Sequence, residues 1–370
     1  MTDVLLAYVV NAVWQIPLVA IGAAAASRVG GLGPRGRHFL WIGALVLAVL
    51  LPALPAAEAL VVAIQPATGP VAATAVMSAP PMAAAPPIGL STIVIDAGVA
   101  RIIACAFALA VLIGAARLVV AWRAATALAR GSAEVALATA VAEALAATAR
   151  SHGVAPPPVR LSEEVRGPVV VGHRAPVILA PRAFIRLTED EQRAALLHEL
   201  AHVVRRDFAV NLLCEAIALP GCWHPVLYEI KAGARRSREI ACDALAAQAV
   251  GSRDAYARRL IALADALRLR DGGETSMAMV ALISRGDLEE RLMQLIKGPR
   301  PPTRLRLLAA AAVAGAVIAP AALLHVTPAA AEPVVVPVTQ VATSAPAAPV
   351  AAIAPPAAPA PPTPPKRARR

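Results

Sequence analysis

The sequence is poor in aromatic and in charged residues. Aromatics make up 3% of its 370 positions and charged residues 16%, while hydrophobic residues reach 58%. A soluble globular chain carries about a quarter charged residues, so this balance excludes one and points to a membrane protein. The scarcity of aromatics also speaks against a membrane barrel, which needs aromatic girdles and alternating strands; abundant Ala suits helices packed through small residues. The four cysteines, Cys105, Cys214, Cys222 and Cys242, show no paired CxxC spacing, and reduced thiols are expected. Cys242 reads as a small buried thiol. The net charge of +11 raises the question of nucleic acid. The basic residues fall where cytoplasmic loops should lie and no aromatic-basic platform accompanies them, so no nucleic-acid partner is expected.

Long apolar runs are what the chain does have. The first, over 4–26, is long enough to cross a bilayer. It lacks the basic n-region of a signal peptide, Asp3 being the only charge before it. A second begins at Phe39 and reaches 52–64, with prolines that bend or end the helix; a third covers 102–122 and a fourth 305–324. Four spans are expected. Arg28, Arg35 and Arg37 lie between the first two, whereas 65–99 has no Lys or Arg, so the amino terminus is placed outside. Counting forward, the 123–304 segment is cytoplasmic and the carboxyl terminus extracytoplasmic, which describes a multi-pass protein of the inner membrane. The expected organisation is two spans in 1–64, an extracytoplasmic linker over 65–99, a third span over 100–122, a cytoplasmic domain over 123–304, a fourth span over 305–325 and a tail over 326–370. The stretch 66–87 and the tail are rich in Pro, Ala and small residues and offer too few bulky side chains for a core, so both are expected to be disordered. The closing Lys366-Arg367-Ala368-Arg369-Arg370 run suits contact with anionic headgroups of the lipid bilayer.

Within the cytoplasmic segment, 132–150 has helical composition. Strand candidates follow at 169–172 and 176–180, linked by His173-Arg174. Thr188 and Glu191 form a T-x-x-E capping box that opens a helix. That helix contains His198-Glu199-Leu200-Ala201-His202. Residues four apart share a helix face, so His198 and His202 can bind one Zn2+, with Glu199 placed to take a proton from the water on it. Hydrolytic zinc sites add a third protein ligand, for which His224, Glu239 and Asp243 are the downstream candidates. Glu239 and Asp243 are themselves four apart, so one can bind metal while the other orients a ligand histidine, or both can simply pair with Arg235, Arg236 and Arg238. The apolar stretch 208–230 is interrupted by Asn211, Glu215, Pro220 and Gly221. It reads as a helix packed in the catalytic domain, with Trp223-His224-Pro225 at a turn; a full crossing would separate Glu239 from His198.

These motifs together resemble the BlaR/MecR-type integral-membrane signal-transducer peptidases, a branch of the glutamate-zincins. The resemblance is carried by Gly167-Pro168-Val169-Val170-Val171-Gly172, Pro176-Val177-Ile178-Leu179-Ala180-Pro181, His198 through Asp207, Trp223-His224-Pro225 and Arg238-Glu239-Ile240-Ala241-Cys242-Asp243. It implies a multi-span α-helical membrane protein with a cytoplasmic α+β zincin-like metallopeptidase domain. It also implies that Glu239 is the third zinc ligand and that Asp243 stands behind the ligands. Family members that sense beta-lactams carry a penicillin-binding domain with Ser-x-x-Lys after the last span. The tail here has no such motif, so that mode of sensing is not expected. The expected activity is zinc-dependent endopeptidase cleavage of a protein substrate, a winged-helix transcriptional repressor being the signalling candidate. A housekeeping membrane protease and a non-enzymatic receptor or scaffold are the alternatives. The 176–180 strand offers either an open edge for an extended substrate or an internal strand.

Overall fold

The computed structural model describes residues 2–64, 90–268, 285–298 and 303–331. The Pro/Ala-rich stretch 66–87 and the basic run at the carboxyl end lie outside the described residues. The chain is mostly helical. Helix α1 (Thr2–Val29) is followed by α2 (Pro34–Leu50), α3 (Ala53–Ile64), strand β1 (Leu90–Asp96) and the long α4 (Ala97–Gly131). A small mixed unit follows, with β2 (Ala133–Glu134), α5 (Thr139–Ser151), β3 (Val159–Leu161), β4 (Val169–Val171), β5 (Val177–Ala180), α6 (Glu189–Arg205) and α7 (Asp207–Ile217). Helices α8 (Pro225–Val250), α9 (Arg253–Arg268), α10 (Arg285–Lys297) and α11 (Arg304–Leu323) and strand β6 (Val326–Ala331) complete it.

Four helices among the described residues are long and apolar enough to cross a membrane: Thr2–Val29, Pro34–Ala57, Ala97–Gly131 and Arg304–Leu323. They coincide with the four runs read from sequence, and the second breaks after Leu50 beside Pro52. Helix α4 is longer than the 102–122 run. It starts on Asp96, whose carboxylate accepts from the Gly98 and Val99 amides, and continues through Arg123 to Gly131. At about 1.5 Å per residue a helix of this length outruns the roughly 30 Å hydrocarbon layer, so its basic end projects beyond the apolar zone.

Small residues let α1 pack closely, with Ala12, Ile16, Val19 and Ala23 buried in the core that α1 shares with α2 and α8. Two buried amides fasten the far end. The Asn11 side chain donates to Val326 O (2.8 Å) and accepts from Val326 N (3.0 Å), and Gln15 donates to Ala321 O (2.8 Å). Gln15 thereby closes a carbonyl in the last turn of α11 and Asn11 the backbone of Val326 at the start of β6, groups otherwise left open in apolar surroundings. Strands β1 and β6 then pair in parallel, Ile95 opposite Ala330, so the start of α4 and the end of α11 lie at the same end of the helices. The tail expected to be disordered is therefore a strand through Ala331, because the partner strand supplies the hydrogen bonds its own side chains do not.

The second core holds the site. Its sheet has the order β2-β3-β5-β4, with β3 and β5 parallel and the outer pairs antiparallel. Ile178, Phe184, Leu196, Leu200 and Tyr256 are buried between the sheet and helices α5, α6, α9 and α10. The β4–β5 hairpin turns at Gly172, where φ is +97° and a Cβ would lie 2.7 Å from the Ala175 carbonyl oxygen, so only glycine fits. The helix expected over 132–150 begins at Thr139 instead. Ala133 and Glu134 are drawn into the sheet opposite Leu161 and Arg160, so pairing overrides helical composition. The 208–230 stretch is not one helix. It is α7, a 3-10 turn at Leu219–Gly221 and the start of α8, because Pro220 and Pro225 forbid a continuous ladder.

Helix α8 joins the two cores. Leu227 and Ile230 belong to the membrane-side cluster, and Ala246 and Ala247 to the cluster around the sheet. Its seat on α2 is close. A Cβ at Gly233 would approach the Trp41 ring to 2.5 Å, and His38 Nδ1 hydrogen-bonds the Ala234 carbonyl at 3.0 Å. Gly233→Ala is therefore expected to overpack the seat by about 1–3 kcal/mol and lower Tm in detergent by several degrees. Adding Trp41→Leu, which frees the ring's volume, should recover part of the loss; an unchanged Tm in the single variant would show that the seat is loose.

Candidate metal centre

Helix α6 begins as its sequence predicts. Thr188 Oγ1 accepts from the Glu191 amide (3.3 Å) and the Glu191 carboxylate accepts from the Thr188 amide (2.9 Å). From that start His198 and His202 fall on one face, with ring centroids 5.0 Å apart. Glu239 arrives from α8. Its Oε2 lies 3.4 Å from His198 Nε2 and 3.8 Å from His202 Nε2, and these three atoms all lie within 4.8 Å of one another. Two donors of a tetrahedral ion with 2.0–2.1 Å bonds are about 3.3–3.5 Å apart, so the triad has the dimensions of a metal site with no rearrangement of the backbone.

Each imidazole is oriented through its other nitrogen. His198 Nδ1 lies 3.0 Å from Asp243 Oδ1 and 3.2 Å from Tyr256 Oη. Tyr256 donates to Asp243 Oδ1 (2.8 Å), and Arg291 donates to both Asp243 oxygens, at 2.6 and 2.8 Å. His202 Nδ1 donates to Asp207 Oδ2 at 2.8 Å, which also accepts from Arg205 Nε at 3.2 Å and Cys242 Sγ at 3.4 Å. With both Nδ1 atoms committed to carboxylates, both Nε2 atoms face Glu239. Asp207 reaches back five residues because Arg206 adopts the left-handed conformation, φ 56° and ψ 35°, ending α6 and starting α7 at once. A non-glycine residue held there is uncommon, and here its turn places a carboxylate behind a histidine.

Charge follows burial and partners. Burial disfavours the Asp243 carboxylate, but the Arg291 guanidinium more than reverses this and holds it well below the usual range. Glu239 is likewise disfavoured by burial, and the His198 hydrogen bond and both imidazoles bring it far below normal. For Glu199 burial dominates the opposing histidines and its pKa is raised. Burial pushes the Cys242 thiol up, and Asp207 adds to this, so Cys242 is a neutral thiol packed in the wall.

The remaining sequence candidates separate cleanly. Asp243, expected behind the ligands, stands behind His198. His224 is elsewhere: it caps α8, its Nδ1 accepting from the Val226 amide (3.2 Å) and its Nε2 donating to Val13 O (3.3 Å). Of the arginines offered as simple partners, Arg238 reaches Glu239 Oε1 at 3.5 Å, while Arg235 and Arg236 do not pair with either acid. Asp207, Tyr256 and Arg291 had no role assigned from sequence; Asp207 stands inside a quoted motif, but nothing local marks the other two. The triad lines a cleft of about 420 Å³ that Pro168 to Val171 and the α8 residues Arg235, Arg236 and Arg238 also line. Strand β5 is internal, between β3 and β4, so the open edge considered for it belongs to β4.

Burial would lower the His198 pKa, but the Asp243 and Glu239 hydrogen bonds outweigh it and raise it to about 10. Since this folded value exceeds the ordinary 6.5, a proton on His198 stabilises the metal-free fold at neutral pH, and that contribution is lost as pH rises through about 10. A metal must displace that proton, so apparent affinity is expected to rise about tenfold per pH unit up to that range. Ring 15N NMR of chelator-treated protein should show His198 protonated at pH 8. Titration near the ordinary imidazole value would contradict the described geometry.

A family model described as BlaR1 peptidase M56 matches residues 4–295. A stretch of 79 residues is 28% identical to regulatory protein BlaR1 of Bacillus licheniformis, and that match covers 21% of this chain and 13% of the relative's length. The family match takes in the apolar amino-terminal helices, α6 with its two histidines, α8 with Glu239, and α10 with Arg291. The chain belongs to the BlaR1 peptidase M56 family.

Proposed function

We propose that this chain is a zinc-dependent endopeptidase of the membrane, with His198, His202 and Glu239 as the metal ligands and Glu199 as the general base. The observation that carries the reading is the convergence of His198 Nε2, His202 Nε2 and Glu239 Oε2 while both Nδ1 atoms are held by Asp243 and Asp207. Two imidazoles and one carboxylate are a donor set that zinc favours, and three protein ligands leave a position open. When bound, the ion supplies Lewis-acid polarisation of the scissile carbonyl and a water of lowered pKa. With the ion in place, Glu199, next to His198 in sequence and buried in the cleft, would take a proton from the attacking water and pass it to the leaving amine; its raised pKa suits both halves of the task. Strand β4 is an edge strand of the sheet and lines the cleft, so an extended peptide can add its backbone to it as a further strand. The expected substrate is a cytoplasmic protein, a winged-helix repressor being the signalling candidate.

Two contacts support the sidedness read from the basic loop. Asn11 joins the early part of α1 to β6, so both chain ends of the helical bundle are at one face. Arg37, in the first turn of α2, lies 3.8 Å from Glu290, next to Arg291 at the site. This supports a site on the side of the basic loop, which short Lys/Arg-rich loops place in the cytoplasm, with the catalytic segment within 123–304 facing inward. Cysteine reporters at Ser132 and Ser252 are expected to resist impermeant labels in intact cells; labelling of either would invert the orientation.

Purified protein is expected to hold about one zinc per chain. Glu199→Gln should keep the metal and lose cleavage of a co-expressed repressor by at least about a hundredfold, since the amide cannot accept a proton. Glu239→Gln should lose metal. Asp207→Asn should weaken metal binding about 10- to 100-fold by releasing the His202 ring. Full zinc content in Glu239→Gln would remove that residue from the ligand set.

A further inference from the structure

Four guanidinium groups line the cleft, and two of them are spoken for. Arg291 is bonded to Asp243. Arg238 donates to Asn211 Oδ1 at 3.0 Å and contacts Glu239. Among the described residues, Arg235 and Arg236 alone of those lining the cleft have neither an ion pair nor a hydrogen bond. They precede Glu239 by four and three positions, so both lie on its side of α8, one turn away. One turn is about 5.4 Å, and an extended peptide advances about 3.3 Å per residue. Edge strand β4 lines the same cleft.

We propose that Arg235 and Arg236 form a carboxylate-binding subsite, so that the preferred substrate segment carries Asp or Glu within two residues of the bond cleaved. The assignment rests on the endopeptidase reading above for its position in a substrate. A peptide laid along β4 brings a side chain one or two residues from the metal triad to these two forks, each built for bidentate contact with a carboxylate. A peptide seated over that contact would shield it from water and strengthen it. The acid side chains of the site itself do not compete, because Asp207, Asp243 and Glu239 already have their own partners.

The test is binding to zinc-loaded Glu199→Gln protein in detergent, read by fluorescence anisotropy with ten-residue peptides that differ only in Asp, Asn or Lys at one central position. The Asp peptide should bind about tenfold more tightly than the Asn peptide. Arg235→Gln with Arg236→Gln should erase that difference, and Arg235→Glu with Arg236→Glu should turn the preference toward Lys. Equal binding of the Asp and Asn peptides, or a preference that survives the double Gln change, overturns the subsite. So does a double variant that binds peptides as before but loses affinity for phosphatidylglycerol vesicles, which would make the pair a lipid contact. Cleavage by the wild-type protein is measured separately: an Asp preference in binding with no peptide cleaved sinks the endopeptidase reading and leaves the subsite standing.

Discussion

Two side chains on one helix and one on another must meet within a few tenths of an ångström, and that demand organises the site-bearing half of the molecule. His198 and His202 come with α6, Glu239 with α8, and their functional atoms stand 3.4 and 3.8 Å apart. Nothing local to either helix can hold that distance. It is held by the shared core beneath, where Leu196 and Leu200 from α6 are buried in the same cluster as Ala246 and Ala247 from α8. It is also held by polar ties on either side, Asp207 to His202 at one flank and Asp243 to His198 at the other. The two flanks are alike in chemistry: a buried carboxylate, an arginine that compensates it, and an imidazole nitrogen. Removing a compensating arginine would strand a buried charge, which is far more costly than losing an exposed ion pair.

What the amino acids disclose in advance follows the range over which each signal acts. The capping box at Thr188 and Glu191, the facing histidines and the hairpin strands are set by neighbours a few residues apart, and all were readable. So were the four apolar helices, since length and hydrophobicity alone define them. Asp207 was hidden although it sits in a conspicuous motif, because its use depends on the left-handed turn at Arg206, which no propensity favours for arginine. Tyr256 and Arg291 meet Asp243 from 13 and 48 residues away, with no pattern to announce them. The same holds for Asn11 and Gln15, whose value lies in backbone groups of a helix at the other end of the chain. The strand at Ala133 and the break in the 208–230 stretch show the complementary case, in which pairing and proline override an adequate helical composition.

The membrane-side and site-side cores meet along α8, and the Gly233 contact with Trp41 gives that helix a rotational key. Gly233 and Glu239 are six positions apart, which is about 9 Å along the axis and about 120° around it. The close approach of Trp41 therefore sets the azimuth at which the carboxylate is presented to the histidines. With side chains reaching about 5–6 Å from the axis, a turn of the helix by 20° would sweep the carboxylate through about 2 Å. That is most of a metal–ligand bond length. The angular phase of one apolar helix pair within the bundle thus determines whether three donor atoms elsewhere form a triad at all.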